Sequence, residues 1–533
     1  MGEKSVIRIL VCGSLSQEGL KLLSKEKEFK VDIESELTPD RLKEIIPVYD
    51  AMTLRSETKV TSEVLERAAK LKVIVRAGIG VDNIDVKAAS QKGVIVMNTP
   101  SGNMVTTAEH AISMLLSLCR HIPQATASLK KGEWAKKKFT GTEVFGKTLG
   151  IVGLGNVGRI VADRAIGLKM KIIAYDPFLT KEAAEKLSVQ LVSLEELLKR
   201  SDFVTVHVPL TDQTKNLINK QTLKKMKKGA LLIQCARGGI VNEEDLYEAL
   251  KKGHLEGAAL DVFVKEPPGA HPLLTLDTVI CTPHLGAATD EAQVKVGIET
   301  AEQLMDYFKN GAIKNAVNMP SLTPEQLVSL KPYLVLAEKL GSFQGQLIYP
   351  KNLKSIEIEY CGKISEQDIK PLTFAVVKGF LTQHLEKSVN YVNALWVAKE
   401  RGIDVKATTS NKPSEYTNLI SVKVKSDGHE SLTAGTIFNQ DEPRFVQIDN
   451  FALEAIPEGT ILFTRNKDKA GVIGAIGTLL GKNNINISRF QLGLDPKKGE
   501  ALALINIDQP VNGAILDALS TLSHVIMVRQ LSL

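Results

Sequence analysis

Between Ile7 and Asn98, hydrophobic residues gather in short apolar runs, IRILVC, FKVDI, YDAMTL, VIVRA and VIVMN, that alternate with amphipathic stretches. Runs that short, with little polar alternation, predict strands buried on both faces. The stretches between them predict helices, so the unit reads as a parallel sheet covered on both sides. The segment SGNMVTTAEHAISMLLSLCRHI repeats its apolar residues at helical spacing and predicts a helix over Thr106–His121. A second alternating series begins at KTLGIVGLGNVG, with strands expected at GIVGL, KIIAYD, VQLV, FVTVHV, ALLIQC, GAALDV and TVICT. An amphipathic helix follows over Thr289–Asn310, and the polar GAIKNAVNMPSLTPEQ, with Pro320 and Pro324, predicts a linker. Residues 321–455 mix helical and strand patterns around a loop-like SNKPSEYTN. From Thr460 the order strand (TILFTRN), helix (GVIGAIGTLLGKN), strand (INISRFQLGL), strand (GEALALINID), helix (NGAILDALST), strand (HVIMVRQLSL) is βαββαβ, a ferredoxin-like module.

Length and composition narrow this picture. At roughly 150 residues per domain, 533 residues imply three to four domains, and 44% hydrophobic with 24% charged residues is ordinary globular composition. A net charge of +6 over this length does not describe a nucleic-acid coat or a polybasic membrane anchor. No apolar run reaches the ~18 residues of a membrane span, and MGEKSVIRILVCG has no signal-peptide core. The five cysteines are odd in number and lack CxxC spacing, so neither a disulfide framework nor a metal site is expected. The expectation is a cytoplasmic protein that binds neither membrane nor nucleic acid.

Gly153-x-Gly155-x-x-Gly158 follows an apolar strand and opens a helix, and the next strand ends in Asp176, 18 residues after the last glycine. In that context the glycines permit a tight turn and let the backbone approach a pyrophosphate at the helix N-terminus. Asp176 would accept hydrogen bonds from ribose hydroxyls and repel a 2′-phosphate. With no arginine in the following Pro177-Phe178-Leu179, NAD is favoured over NADP.

Three further residues, Arg237 (QCARGGIV), Glu266 (ALDVFVKEPP) and His284 (CTPHLGAAT), each follow a predicted strand, where a parallel sheet opens onto its ligand crevice. Singly, each has an ordinary structural use: a helix cap, a solvated loop charge, a satisfied core histidine. Together at the strand ends of one nucleotide-binding unit they match what oxidation of a 2-hydroxy acid needs. Arginine offers a fork for a carboxylate, histidine a base for the hydroxyl proton, and glutamate a partner that orients and tunes the imidazole. Cys235, beside Arg237, is explained by a backbone contact to the cofactor and is given no chemistry of its own.

VRAGIGVDNID, NTPSGN, CARGGIV, ALDVF followed by EPP, and PHLGA stand in this order, and over about residues 7–320 they resemble the D-isomer-specific 2-hydroxyacid dehydrogenases. The resemblance implies two Rossmann-like or flavodoxin-like lobes: a substrate domain in two segments, 1–100 and 287–320, with an NAD-binding domain, 101–286, inserted between them. It implies hinge closure over the substrate. It also implies His284 as acid/base, Glu266 as its partner, and Arg237 as anchor of the substrate carboxylate and carbonyl. Cofactor contacts are implied at Ile79, Gly153, Gly155, Asn156, Val157, Gly158, Asp176, Val208, Cys235, Ala236, Arg237, Asp261, His284, Leu285, Gly286 and Ala287. Substrate contacts are implied at Arg55, Ser56, Arg76, Gly78, Asn98 and Lys136. The last lies in a lysine-rich run that reads on sequence alone as a solvated face, and in the family this stretch approaches a neighbouring subunit's site. A lysine where some members have arginine would give a point charge rather than a fork.

The C-terminal module resembles an ACT domain, a small-molecule sensor, through RNKDKAGVIG and NINI; Ala470 stands where proline precedes the glycine in the usual pattern. The resemblance implies an amino-acid effector, L-serine, at Asp468 and Asn486, with sheet-edge dimerisation as the alternative use. Residues 321–455 occupy the place of an α+β intervening domain found in long family members, and 456–533 that of the sensor. Those extra domains and the N-terminal arginines point to a phosphorylated hydroxy acid, D-3-phosphoglycerate, and to a homo-oligomer, tetramer or dimer. Two other readings stay open: a glyoxylate or hydroxypyruvate reductase, and an NAD(H)-binding corepressor-like protein.

Overall fold

The computed structural model describes residues 6–322, 324–347, 353–385, 389–410 and 415–533. Residues 411–414 of the expected SNKPSEYTN loop lie outside the described residues.

The first sheet has five strands, all parallel, in the spatial order Phe29–Glu34, Ile7–Cys12, Ala51–Leu54, Val73–Arg76, Ile95–Asn98. Ala51–Leu54 is buried at every position, as a strand covered by helices on both faces must be. In the register Leu54 stands opposite Arg76, and Arg76 opposite Asn98. The carboxyl ends that carry Arg55, Arg76 and Asn98 therefore form one edge. The strand order reverses between Ile7–Cys12 and Ala51–Leu54, and there Arg55 Nη1 donates to Ser14 Oγ at 3.3 Å.

The second sheet has seven parallel strands: Val279–Cys281, Leu255–Leu260, Ala230–Gln234, Phe203–Val206, Thr148–Val152, Lys171–Tyr175, Gln190–Leu191. This is the doubly wound dinucleotide-binding order, with its switch point between Thr148–Val152 and Phe203–Val206. Val208 lines it, because a Cβ on Gly153 would stand 2.7 Å from Val208 Cγ1.

The chain passes from the first lobe to the second just before helix Met104–Cys119 and returns just before helix Asp290–Asn310. The first of these helices ends two residues earlier than its periodicity predicts, because His121 adopts φ +50° and turns the chain into helix Ile122–Lys130. The second carries Asp290 and Glu291 in its first turn, has Thr289 as N-cap, and ends at Gly311 in the left-handed region.

The segment after it differs from the linker expected. Val317 N donates to Val96 O at 2.8 Å, Asn98 N donates to Asn315 O at 3.2 Å, and the Asn318 amide accepts from Val96 N and donates to Val94 O. These bonds cover the exposed edge of strand Ile95–Asn98, which would otherwise present unpaired backbone groups. Polar composition reflects that edge-capping role.

Helix Pro324–Leu347 leads into a six-stranded mixed sheet, Asp404–Ser410, Leu353–Gly362, Asn418–Ser426, His429–Phe438, Glu442–Ile448, Phe451–Ala455. It packs with helix Lys370–Leu381 over a core that includes Phe343, Tyr360, Phe380 and Phe445. The C-terminal sheet runs Ile487–Asp495, Glu500–Ile507, Thr460–Lys467, Val525–Ser532, all antiparallel. With two helices on one face this is the ferredoxin-like module the sequence predicts.

Candidate active site

Three loops stand at the carboxyl edge of the second sheet, and the first of them reaches the first lobe through Arg237. Buried Gln234 shapes the first: its side chain accepts from Ala236 N at 3.2 Å and donates to Arg237 O at 2.9 Å. A Cβ on Gly238 would stand 2.0 Å from Phe263 O, so this loop packs directly on the loop that carries Glu266. The second loop is closed by Phe263 N donating to Glu266 Oε1 at 3.1 Å and Val264 N donating to Glu243 Oε1 at 2.7 Å. The third is the His284 turn, where the histidine has φ +55°. Asp261, 1% exposed, builds that turn. Its carboxylate accepts from Leu285 N, Gly286 N and Thr282 Oγ1 at 2.7, 2.9 and 2.6 Å, and its carbonyl accepts from His284 N at 3.0 Å. Burial alone would raise the Asp261 carboxyl, yet these donors and His110 at 3.2 Å hold it below its ordinary value.

His284 Nδ1 lies 2.7 Å from Glu266 Oε2. A carboxylate accepts only, so Nδ1 carries the hydrogen and Nε2 is left with a lone pair. Burial pushes the Glu266 carboxyl up, but the His284 bond and the Phe263 amide outweigh it and keep the group below the usual carboxylate range. The pair is a base backed by a permanent anion.

The cation side is assembled from both lobes. Arg237 donates from Nε to Asp82 at 3.1 Å and from Nη1 to Ala236 O at 2.7 Å. The Arg76 guanidinium lies against Gly78, whose Cβ, if present, would meet Nη1 at 1.6 Å, and its Nε is buried without a hydrogen-bond partner. Burial, then the nearby Arg237 and Arg55, push Arg76 down to about 10. A half-buried cation repelled by two others is held there at a cost, and an anion between them relieves it. The backbone next to these arginines is fixed by Asn98, which donates to Ile79 O at 2.6 Å, and by Thr99, which accepts from Gly78 N at 2.7 Å. Ser56 is exposed at the same edge.

The glycine loop suits a dinucleotide. A Cβ on Gly155 would meet nothing within 4 Å, so open space lies where a pyrophosphate would approach, beside Asn156 and Val157 at the helix start. A Cβ on Gly158 would stand 2.1 Å from Gly153 O, so helix and strand touch at that point. Asp176 accepts from Leu154 N and Phe178 N, both at 2.9 Å, which fixes its carboxylate at the loop. Gly158→Ala should therefore cost about 1–3 kcal/mol of stability by overpacking and weaken NAD binding, read as a lower melting temperature and a higher Kd for NADH by fluorescence. Cys235 is buried and its thiol is pushed up by burial, which removes it as a nucleophile.

A family model described as "D-isomer specific 2-hydroxyacid dehydrogenase, NAD binding domain" matches residues 112–286. "D-3-phosphoglycerate dehydrogenase intervening domain" matches 329–449, and "ACT domain" matches 460–524. D-3-phosphoglycerate dehydrogenase of Synechocystis sp. is 42% identical over 522 residues, covering 98% of this chain and 94% of the relative. The chain belongs to the D-3-phosphoglycerate dehydrogenase family. The Bacillus subtilis member is 41% identical across 99% of this chain and 100% of its own. The two dehydrogenase lobes also superpose on NAD-dependent formate dehydrogenase from Staphylococcus aureus in complex with NAD, with TM-score 0.54 and 31% identity over 59% of this chain and 100% of that one. NAD is thus the cofactor of this family's nucleotide domain, in agreement with the glycine loop and Asp176.

The structure brings Arg55, Arg76, Gly78, Ile79, Asn98 and Arg237 to one cleft, and Glu266 to His284. It does not bring Lys136 there. That residue stands exposed on the short turn Lys136–Phe139, and among the described residues it has no contact with the arginines. Asp468 and Asn486 are exposed at opposite ends of helix Val472–Lys482, with no contact between them in one chain. Sequence reasoning missed Asp82, Thr99, His110 and Glu243. Asp82 and Thr99 stood in the VRAGIGVDNID and NTPSGN motifs without a role, and the other two carried no local signal.

Proposed function

We propose that this chain oxidises D-3-phosphoglycerate to 3-phosphohydroxypyruvate with NAD, the entry step of L-serine biosynthesis. The observation that carries the reading is a cluster of three arginines, Arg55, Arg76 and Arg237, in which the Arg237 loop packs directly on the loop that carries Glu266, the partner of His284. A substrate with a carboxylate at one end and a phosphate at the other can satisfy more than one of these cations. Glyoxylate or hydroxypyruvate cannot, and a reductase for them needs no intervening or sensor domain.

Arg237 grips the carboxylate and polarises the C2 oxygen. Arg76 and Arg55, with Ser56 and the Gly78 backbone, hold the phosphate. His284 Nε2 takes the C2 hydroxyl proton, and Glu266, ionised throughout the neutral range, stabilises the imidazolium that forms. Bound NAD supplies the hydride acceptor. The protein acts in the cytoplasm as a homo-oligomer, a dimer or tetramer, in which Lys136 approaches the neighbouring subunit's cleft. L-serine binds the C-terminal domain through Asp468 and Asn486.

The test follows NADH absorbance with D-3-phosphoglycerate against D-glycerate, each with and without L-serine. Turnover confined to the phosphorylated acid supports the assignment, and inhibition by serine supports the sensor. Equal turnover of D-glycerate would remove the phosphate from the role given to Arg55 and Arg76.

A further inference from the structure

Asp82 lies on the Val81–Asn83 turn of the first lobe, and its one recorded partner among the described residues is Arg237 of the second lobe. The turn does not need that carboxylate. Asn83 holds it by donating to Arg55 O and Thr58 O at 2.7 and 2.6 Å, Val60 N donates to Asn83 O at 2.8 Å, and Ile84 N donates to Val81 O at 2.9 Å. The Arg237 backbone is likewise fixed within its own lobe by Gln234 and the close packing of Gly238. What remains free is the long arginine side chain, which has to place its fork across a cleft.

Gly80 makes room for the pair. A Cβ there would stand 2.2 Å from Arg237 Nη2 and 2.8 Å from Asp82 Oδ2. With Nε on Asp82 and Nη1 on Ala236 O, nothing among the described residues accepts a hydrogen bond from Nη2, which lies against Gly80. Asp82 also bears its charge beside the arginine cluster, where, with Glu57, it offsets the repulsion felt by Arg76.

We infer that Asp82 is a positioning residue for the hydroxy-acid reaction: a strut from the substrate lobe that aims Arg237 at the carboxylate and completes the anchor only when the lobes are apposed. The inference rests on the reading of Arg237 as that anchor. Holding a four-torsion side chain in one orientation before substrate arrives removes an ordering cost from binding and places C2 for reaction. The Asp82 carboxylate is 63% exposed, so solvent screens the pair and its loss changes substrate kinetics about 2- to 5-fold.

Asp82→Ala is therefore expected to lower kcat/KM for D-3-phosphoglycerate about 2- to 5-fold, mainly through KM, with NADH affinity unchanged by fluorescence titration. Asp82→Asn keeps an acceptor for Nε and should recover part of the loss. In an Arg237→Ala background, followed by single turnover at high enzyme concentration, Asp82→Ala should cost little further, because the side chain it aims is gone. Wild-type kinetics in Asp82→Ala, a fall in KM, an Asn variant no better than Ala, or an undiminished loss in the Arg237→Ala background would each overturn the inference. Near-normal turnover in Arg237→Ala itself would instead overturn the anchor reading, and so distinguishes the two failures.

Discussion

His284→Ala is expected to lower kcat by about 10²–10⁴-fold in the oxidation direction while NADH binds with unchanged affinity. The expectation follows from the 2.7 Å bond between Nδ1 and Glu266, which leaves Nε2 as the proton acceptor, and from the turn that holds His284 on the buried Asp261. Glu266→Gln separates the two roles in the pair. Because the Glu266 carboxyl sits below its ordinary value, it remains an anion as pH falls through the neutral range and is present to stabilise the imidazolium formed in the step. With glutamine that anion is gone, and kcat for oxidation should fall about 10- to 100-fold while NADH affinity is unchanged. Steady-state kinetics of the two proteins measure this. A wild-type kcat in the glutamine variant would separate Glu266 from the acid–base step.

The second large effect concerns Arg76 and runs in two directions. Arg76→Met is expected to cut kcat/KM for D-3-phosphoglycerate about 10²–10³-fold, because a desolvated cation facing an anion is lost. The same change should raise the unfolding midpoint of the ligand-free protein. Arg76 is partly buried, its Nε is unpartnered, and it is repelled by Arg237 and Arg55, so its folded value near 10 lies below that of the unfolded chain. A cation whose value is depressed by folding destabilises the native state at neutral pH, and that penalty fades only as pH rises through about 10. Thermal melts at pH 7 with and without the substrate separate the effects. The variant should gain stability alone and lose most of the increment the substrate provides. A lower midpoint in the absence of ligand would mean that Arg76 serves the fold rather than the anion.

Local features of the chain were enough for the elements and for the chemistry of single residues. Short apolar runs identified the parallel strands, because an inner strand such as Ala51–Leu54, covered on both faces, has no position to leave polar, while the edge strand Phe29–Glu34 keeps charged residues. The glycine loop was legible because the close approaches at Gly153 and Gly158 exclude any side chain, a constraint that acts within a few residues. Asp176, Arg237, Glu266 and His284 could be placed at strand ends, since a parallel sheet delivers all its carboxyl ends to one edge. The tertiary structure decided what those edges do to one another. Arg55 and Arg76 meet Arg237 only because two separate sheets face across a cleft, and Asp82 and Arg237 form their ion pair 155 positions apart in the chain. The polar segment after Asn310 looked like a linker because its hydrogen bonds go to a strand more than two hundred residues earlier, which no local pattern records. Periodicity and turn chemistry are short-range and survive in one dimension. The balance of charge in a desolvated cleft depends on distances of a few ångströms between lobes, and packing alone sets them.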